Sequence, residues 1–290
     1  LLTYDIELNQ SASQDLILEN IGEDGSILSY EINISPFGNP QSYVDEFGYT
    51  WSESRVDEYI SSEWIDISEN NIVLEYETND DALLYDLEFN FPFYNQNYSN
   101  ILINPNGWIG LGEDSNAWNN QPLFSDDAPN NAIFGFWDDL CPINESNPDG
   151  EGYVRVNSNQ ERIVIWYDNV RHWTSYDRIY NFQIVLYSTG EIHFHYGDMN
   201  GEVDSATIGI INSDGDIGHE VVYNSEFIED NITLHFRQSP DWLSAFNINA
   251  TSDGIVEANN SEIIEVIVDM LGNPIGSYLA YILIDTNTSY

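Results

Sequence analysis

Two adjacent aspartates, Asp138 and Asp139, stand out in the segment FWDDLCPINESNPDGEG, residues 136–152. They follow an aromatic pair that is typical of a buried strand, so they lie where the chain changes direction. Ca²⁺ prefers oxygen ligands from carboxylates and backbone carbonyls, and Asp149 lies a short distance along the chain. The segment therefore predicts a calcium site formed by Asp138, Asp139 and Asp149, with calcium as the one candidate cofactor.

Two other interpretations of the paired aspartates remain open. Aspartate side chains also accept backbone hydrogen bonds, and these two could simply shape the turn before Pro142. Glycoside hydrolysis needs two carboxylates at a defined separation, and nothing in the sequence places a second one. We therefore assign no catalytic residue to this segment.

The other candidates for chemistry are single residues without identifiable partners. His193 and His195 are two apart on a predicted strand and share a face, yet no third metal ligand is identifiable. Cys141 is the only cysteine, and His172 or His219 could approach it in space. The fingerprints of serine hydrolases, zinc proteases, P-loops and dinucleotide sites do not occur. We expect a protein that is not an enzyme.

The segment NSDGDIGHE, residues 212–220, has alternating Asn212, Asp214 and Asp216, as calcium loops do. It lacks the glycine at position six and the glutamate at position twelve of an EF-hand loop. A hairpin turn between ATIGII and EVVY explains the segment better.

One tryptophan falls in a polar stretch. The segment GEDSNAWNNQPLF places Trp118 among Asn and Asp residues, away from any apolar run. Exposed aromatic rings beside polar side chains bind sugars by stacking and hydrogen bonding. Trp118 is therefore a candidate ligand-binding residue, with packing in a core as the alternative.

Asn-x-Ser/Thr triplets are frequent in the chain, and each accepts a glycan if the protein is exported. The candidate glycosylation positions are Asn9, Asn33, Asn97, Asn144, Asn231, Asn249, Asn259 and Asn287.

The charge of the chain excludes some partners. Fifty acidic residues face six arginines and no lysine, giving a formal net charge of -44. Such a surface repels phosphates and anionic headgroups, so we expect no nucleic-acid partner. No apolar run approaches the roughly 20 residues of a membrane helix, so we expect no membrane insertion.

Alternation of apolar and polar residues dominates the chain and predicts an all-β fold. Short segments such as NFQIVLYS, GEIHFHYGD and SEIIEVIVDM are rich in Ile, Val, Tyr and Phe, and turn residues separate them. LYSTGEIHFHY indicates a hairpin that turns at Thr189 and Gly190. Short strands at this spacing are typical of a β-sandwich or a jelly roll.

The two ends of the chain are each too short to close a core. Together they approach the roughly 100 residues of an immunoglobulin-like sandwich. We therefore expect one discontinuous Ig-like β-sandwich, formed by residues 1–37 and 239–290. A larger β-sandwich or jelly-roll-like domain, residues 38–238, would be inserted into it.

Both parts resemble known families. ILENIGEDGSILSYEI and DWLSAFNINATSDGIVEANNSEIIEVIVD resemble the two halves of Ig-like modules of the BACON or choice-of-anchor kind in secreted prokaryotic proteins. The insertion resembles nidogen-like and protease-accessory β-rich regions of large secreted proteins, through FNFPFYNQNYSNILINPNGWIGLG, SDDAPNNAIFGFWDDL and ATIGIINSDG. The resemblance implies an extracellular or cell-surface module without catalytic residues.

We therefore expect a structural or adhesive module whose partners are other copies of itself or neighbouring repeats. Ig-like modules of this kind usually have one more strand after GSYLAYILIDTN, and the sequence stops at Tyr290 without it. An unpaired sheet edge invites another chain, so a neighbour could supply the strand and build a filament, with residues 1–8 as the donor. The alternative is a carbohydrate- or calcium-dependent binding domain, with polysaccharide as the partner.

Overall fold

The chain forms two compact units in a computed structural model. One unit comprises Leu1–Pro40 and Ser239–Tyr290, and the other comprises Gln41–Gln238. The sequence places these boundaries after residues 37 and 238. The structure describes residue 6 and residues 10–112, 116–142, 152–270 and 279–287.

The described residues form strands and contain no helix, which confirms the predicted all-β fold. The discontinuous unit contains β1 (Ser11–Glu19), β2 (Ile27–Ser35), β17 (Leu243–Asn247), β18 (Asp253–Glu257), β19 (Ser261–Asp269) and β20 (Tyr281–Thr286). The inserted unit contains β3 (Tyr49–Glu53), β4 (Ile72–Val73), β5 (Leu83–Phe93), β6 (Gln96–Asn104), β7 (Trp108–Gly110), β8 (Ala132–Trp137), β9 (Leu140–Cys141), β10 (Tyr153–Ser158), β11 (Arg162–His172), β12 (Ser175–Tyr187), β13 (Ile192–Asn200), β14 (Thr207–Ile211), β15 (Gly218–Tyr223) and β16 (Thr233–Gln238). None of the described residues forms a helix of the length and apolarity that a membrane span requires.

The discontinuous unit consists of two three-stranded antiparallel sheets, ordered β1-β19-β17 and β18-β2-β20. Leu28, Tyr30 and Ile32 are alternate residues of β2 and are buried, because successive side chains of a strand point to opposite faces. They pack in one cluster with Ile264 and Val266 of β19. Strands from both ends of the sequence therefore share one core.

The inserted unit is built from two larger antiparallel sheets. One has the order β3-β16-β13-β12-β11-β10-β4, with β9 paired to β11, and the other has the order β15-β14-β8-β7-β6-β5. A single large cluster fills the space between them. Phe136 of one sheet lies 4.7 Å from Tyr180 of the other, measured between ring centroids. The Tyr196 hydroxyl crosses the same space and donates to the Gly135 carbonyl at 2.6 Å.

Both predicted hairpins are confirmed. β12 and β13 pair on either side of Gly190, which has a φ of +91°. β14 and β15 pair on either side of residues 212–217, the first six residues of the NSDGDIGHE segment. There the Asn212 side chain accepts from the backbone N–H groups of Asp216 and Ile217 at 3.1 and 3.2 Å, so this asparagine shapes the turn.

A second buried cluster covers the outer face of the six-stranded sheet. Trp108, Phe134 and Trp137 project from β7 and β8 on this face and pack with Leu123 and Ala128 of the long segment between the two strands. This layer holds the segment that carries Trp118 against the sheet.

Candidate ligand-binding cleft

The strand that leads to the paired aspartates is fixed by the turn between β6 and β7. The Gly107 carbonyl accepts from the N–H groups of Gly135 and Phe136, both at 3.1 Å. The Asn106 side chain accepts from the Leu140 N–H at 2.9 Å, just past the aspartates. Gly107 has a φ of +84°, and an added Cβ would lie 2.0 Å from the Phe136 carbonyl oxygen. Only glycine allows this close approach.

Asp138 is buried and its carboxylate is engaged within the protein. One oxygen accepts from the Ser205 hydroxyl at 2.8 Å. The other accepts from the Asp139 N–H at 2.9 Å and lies 3.5 Å from His172 Nε2. These contacts support the turn-shaping interpretation for Asp138.

His172 is held in one orientation by its own turn. Its Nδ1 accepts from the Thr174 N–H at 3.1 Å and lies 3.0 Å from the Thr174 hydroxyl. A ring nitrogen that accepts from a backbone N–H carries no proton, so in the neutral imidazole the proton is on Nε2 and faces Asp138. The His172 imidazole therefore helps to hold the Asp138 carboxylate in place.

Asp139 is half-buried and faces outward. Burial raises the pKa of its carboxyl to about 6. The His172 imidazole acts in the opposite direction and lowers this pKa, whereas the charges of Asp80 and Asp138 raise it further. Asp80 is placed by two asparagines, Asn104 at the end of β6 and Asn106 in the β6–β7 turn. Asn104 donates to the Asp80 carbonyl at 2.9 Å, and Asn106 donates to the Asn79 carbonyl at 3.0 Å.

Trp118 is presented by its neighbour. The indole N–H groups of Trp108 and Trp137, both buried, donate to the Ala117 carbonyl at 3.1 and 3.0 Å. A carbonyl with two buried donors fixes the backbone at this point. Trp118 itself is 49% exposed.

Trp173 is presented in the same way by the tight turn between β11 and β12. Its N–H donates to the Asp139 carbonyl at 2.8 Å, and its own carbonyl accepts from the buried Arg171 guanidinium at 3.0 Å. The Arg171 guanidinium also donates to the His172 carbonyl and to Cys141 Sγ, at 3.2 and 3.4 Å. The indole of Trp173 remains 46% exposed.

These parts surround one cleft of about 220 Å³. The described residues that line it are Asn79, Asp80, Trp118, Asp139 and Trp173. Two exposed indole rings thus border a space that also presents two carboxylates and an amide. A ligand there can stack on an aromatic face and hydrogen-bond to polar groups at the same time.

The cleft brings together some of the residues predicted from the sequence. Trp118 and Asp139 line the cleft, and the buried Asp138 accepts from the Asp139 N–H. Asp149, Asn9 and Asn144 lie outside the described residues. In the described ranges, no group of three or more His, Cys, Asp or Glu side chains is arranged to hold a metal ion. The calcium site stays a prediction.

The other single-residue candidates have structural surroundings. Cys141 is buried, and its Sγ contacts the Asn79 side chain at 3.1 Å. His219 Nε2 lies 2.9 Å from the Tyr49 carbonyl and 3.3 Å from Asp45. Of the described sequon asparagines, Asn97, Asn231, Asn249, Asn259 and Asn287 are exposed and Asn33 is partly buried.

The two strand histidines have a third neighbour. His193 on β13 lies opposite His235 on β16, and their rings stack at 3.4 Å with an interplanar angle of 4°. The His195 ring lies 6.0 Å from that of His193. Burial lowers the pKa of all three imidazoles, so the cluster is neutral at pH 7.

Comparison with known proteins identifies the family of the inserted unit. A family model described as NIDO related matches residues 57–238, more than half of the chain. The chain belongs to the NIDO-related family. The matched stretch includes all five described residues that line the cleft, so the cleft is a feature of the NIDO-related unit. No curated protein and no solved structure matches the chain significantly.

The family assignment confirms the nidogen-like resemblance of the insertion at the level of a NIDO-related unit. The Ig-like resemblance of the two ends lies outside the matched stretch and stays a prediction. Asn79, Asp80 and Trp173 of the NIDO-related unit were missed as functional candidates from the sequence. The only local signal for the first two was the polar turn TNDD before a strand.

Proposed function

We propose that this chain is a non-catalytic extracellular adhesive module that binds carbohydrate in the cleft of its NIDO-related unit. The observation that carries the proposal is that two exposed tryptophans, Trp118 and Trp173, line one cleft with an amide and two carboxylates. NIDO-related domains are typical of extracellular proteins, which supports a location at the cell surface.

The chemistry of the cleft suits a sugar. The faces of pyranose rings stack on indoles, while hydroxyl groups donate to carboxylates and to the amide oxygen of Asn79. The volume of about 220 Å³ is smaller than the roughly 300–1,000 Å³ of common small-molecule sites. A terminal unit or a short stretch of a polysaccharide fits this size better than a long buried chain.

Binding without catalysis is supported by the contacts of the candidate reactive groups. Both oxygens of Asp138 accept hydrogen bonds, and His172 Nδ1 accepts from its own turn. The thiol of Cys141 is buried beneath Asn79. Each of these groups holds part of the cleft wall in place, which is a structural role and suits a binding surface.

The proposal is tested by measuring retention on polysaccharides. Purified protein is run in affinity gels that contain a panel of neutral, acidic and amino polysaccharides. Truncating a stacking ring costs about 1–3 kcal/mol, so Trp118→Ala and Trp173→Ala are expected to weaken binding roughly 5- to 150-fold. Phe124→Ala is the matched control, because Phe124 is an exposed aromatic residue, 52% accessible, outside the cleft.

Two results would refute carbohydrate binding at this cleft. One is retention by both tryptophan variants equal to that of the unmodified chain. The other is the absence of retention of the unmodified chain on every polysaccharide of the panel. Loss of retention in Phe124→Ala alone would place the binding surface elsewhere and refute the assignment as well.

A second candidate function, assembly into a filament, is favoured by the surface of the discontinuous unit. Ile17 of β1 and Ile263 of β19 are paired across the strands and are 67% and 47% exposed on the outside of the sheet. Four further isoleucines of this unit are also exposed: Ile21, Ile27, Ile248 and Ile255. The adjacent Ile17 and Ile263 form an exposed apolar patch, and such patches favour contact with another protein.

The sheet edges of the same unit suit strand complementation. Within the described residues, β1 and β20 each pair on one side only. Their inward-facing Leu16, Leu18, Ile282 and Ile284 pack on the core while remaining partly exposed. A strand supplied by a second copy would pair with such an edge and cover these side chains.

Deletion of residues 1–8, the donor predicted from the sequence, tests the assembly. These residues lie outside the described part of the chain except for residue 6. We expect the full chain to form ordered filaments in negative-stain electron microscopy and the deletion variant to remain dispersed. Filaments from the deletion variant would exclude this donor, and dispersed full-length chains would exclude the filament.

A further inference from the structure

We infer that the cleft selects a sugar that carries a primary ammonium group, such as the glucosamine units of a deacetylated amino polysaccharide. The inference deepens the proposed carbohydrate binding and rests on it. It follows from the charges around the cleft, the aromatic rings beside them and the field of the whole chain.

The charges that face the cleft are negative. Asp80 and Asp139 line it, and the buried Asp138 lies directly behind Asp139. Among the described residues, no arginine lines the cleft, and the sequence contains no lysine. Arg171 supports the wall, but its guanidinium donates to the carbonyls of His172 and Trp173 and to Cys141. A neutral ligand would leave the carboxylates without a cationic partner.

The two aromatic rings favour the same kind of ligand. The face of an indole ring attracts a cation, and the attraction strengthens as the contact is shielded from water. Trp118 and Trp173 supply two such faces beside the carboxylates. An amino sugar can place its ring on one indole while its ammonium group pairs with Asp139 or Asp80.

The net charge of the chain attracts cations to its surface. The formal net charge of -44 produces a negative potential over the surface, which raises the local concentration of cationic polymers and speeds their association. The same field repels acidic polysaccharides. The local and the global charge therefore favour the same class of ligand.

The experiment compares two oligomers of the same sugar, one with free ammonium groups and one with each nitrogen acetylated to a neutral acetamide. Tryptophan fluorescence is titrated with a glucosamine oligomer and with its fully N-acetylated counterpart, each in chelator and in millimolar calcium. We expect at least tenfold tighter binding of the glucosamine oligomer to the unmodified chain. Asp139→Asn is expected to remove most of this preference, because it should weaken binding of the glucosamine oligomer far more than binding of the acetylated oligomer.

Asp126→Asn is the matched control, since it removes one charge from an exposed aspartate of the same unit. Its preference should equal that of the unmodified chain. Equal affinity for the two oligomers overturns the ammonium inference and leaves carbohydrate binding standing, whereas binding of neither oligomer overturns the ammonium inference alone. Retention on no polysaccharide of the gel panel overturns both.

Two further outcomes overturn the inference in other ways. Binding that appears only in calcium assigns the carboxylates to a metal ion. A lysine-containing peptide that binds as tightly as the glucosamine oligomer assigns the cleft to protein ammonium groups. The comparison of the two oligomers needs only the unmodified chain, so it stands even where a variant fails to fold.

Discussion

Acid should destabilise the NIDO-related unit through its buried histidines, and His195 allows the effect to be worked out. Its Nδ1 lies 3.1 Å from the Thr233 hydroxyl, and its Nε2 is buried without a hydrogen-bond partner among the described residues. Burial, with a smaller contribution from the Arg162 charge, lowers the pKa of His195 to about 4. The unfolded chain regains the ordinary value of about 6.5.

The sign and size of the effect follow from proton linkage. Between pH 6.5 and 4 the unfolded imidazole binds a proton that the folded one does not, so stability is complete above pH 6.5 and is lost as the pH falls. At pH 4.5 the two pKa values give a loss of about 2.5 kcal/mol for His195 alone. His193 and His235 act in the same direction, since burial lowers the pKa of each.

The assay is urea unfolding of the chain and of His195→Gln at pH 7 and pH 4.5. Seven of the eight tryptophans lie in residues 41–238, so tryptophan fluorescence reports mainly on this unit. Titration of the many carboxylates changes both proteins equally and cancels in their difference. We expect the advantage of the unmodified chain over His195→Gln to shrink by about 2.5 kcal/mol on acidification.

Tyr98→Phe is the control, because it removes a hydroxyl that does not titrate in this range; its difference from the unmodified chain should be the same at both pH values. A difference between the unmodified chain and His195→Gln that stays constant from pH 7 to pH 4.5 would refute the reasoning.

Three further predictions concern the cleft walls and the surface charge. Gly107→Ala should lower the free energy of unfolding by about 3 kcal/mol or more in thermal unfolding, because its Cβ would meet the Phe136 carbonyl. Gly25→Ala, at a similar φ in open space, should lower it by only about 1–2 kcal/mol, and equal losses would contradict the clash. Trp137→Phe removes a donor to the Ala117 carbonyl and leaves a cavity, so the free energy of unfolding should fall by about 2–4 kcal/mol. An unchanged midpoint of thermal unfolding would show that this hydrogen bond is unimportant. Association of the chain, measured by light scattering, should increase in millimolar calcium relative to chelator, because divalent cations screen a net charge of -44. Equal scattering in the two buffers would contradict the idea that charge repulsion limits assembly.

Much of the fold could be predicted because it depends on local patterns. The alternation in NFQIVLYS and GEIHFHYGD predicts strands, and the turn at Thr189 and Gly190 predicts their pairing. These signals act over a few residues, since strand side chains alternate with a period of two. The exposed position of Trp118 could be predicted for the same reason, from a polar stretch around one aromatic residue.

The cleft depends on contacts between distant parts of the chain. Trp173 reaches Asp139 because β9 pairs with β11, where His172 lies opposite Leu140. Asp80 reaches the cleft because side chains at the end of β6 and in the β6–β7 turn donate to the backbone of residues 79 and 80. A sequence pattern carries no register between strands that are more than 20 residues apart, so these neighbours could not be assigned.

The histidine cluster likewise depends in part on local sequence spacing and in part on contacts between distant strands. The spacing of His193 and His195 determines that they share a face, because their separation is one strand period. Only the pairing of β13 with β16 places His235 against His193. The sequence by itself determined the strands, the acidic surface and which side chains share a strand face. The tertiary structure decided which faces and turns meet, because register and packing are set by the whole core, and the cleft exists only where those turns come together.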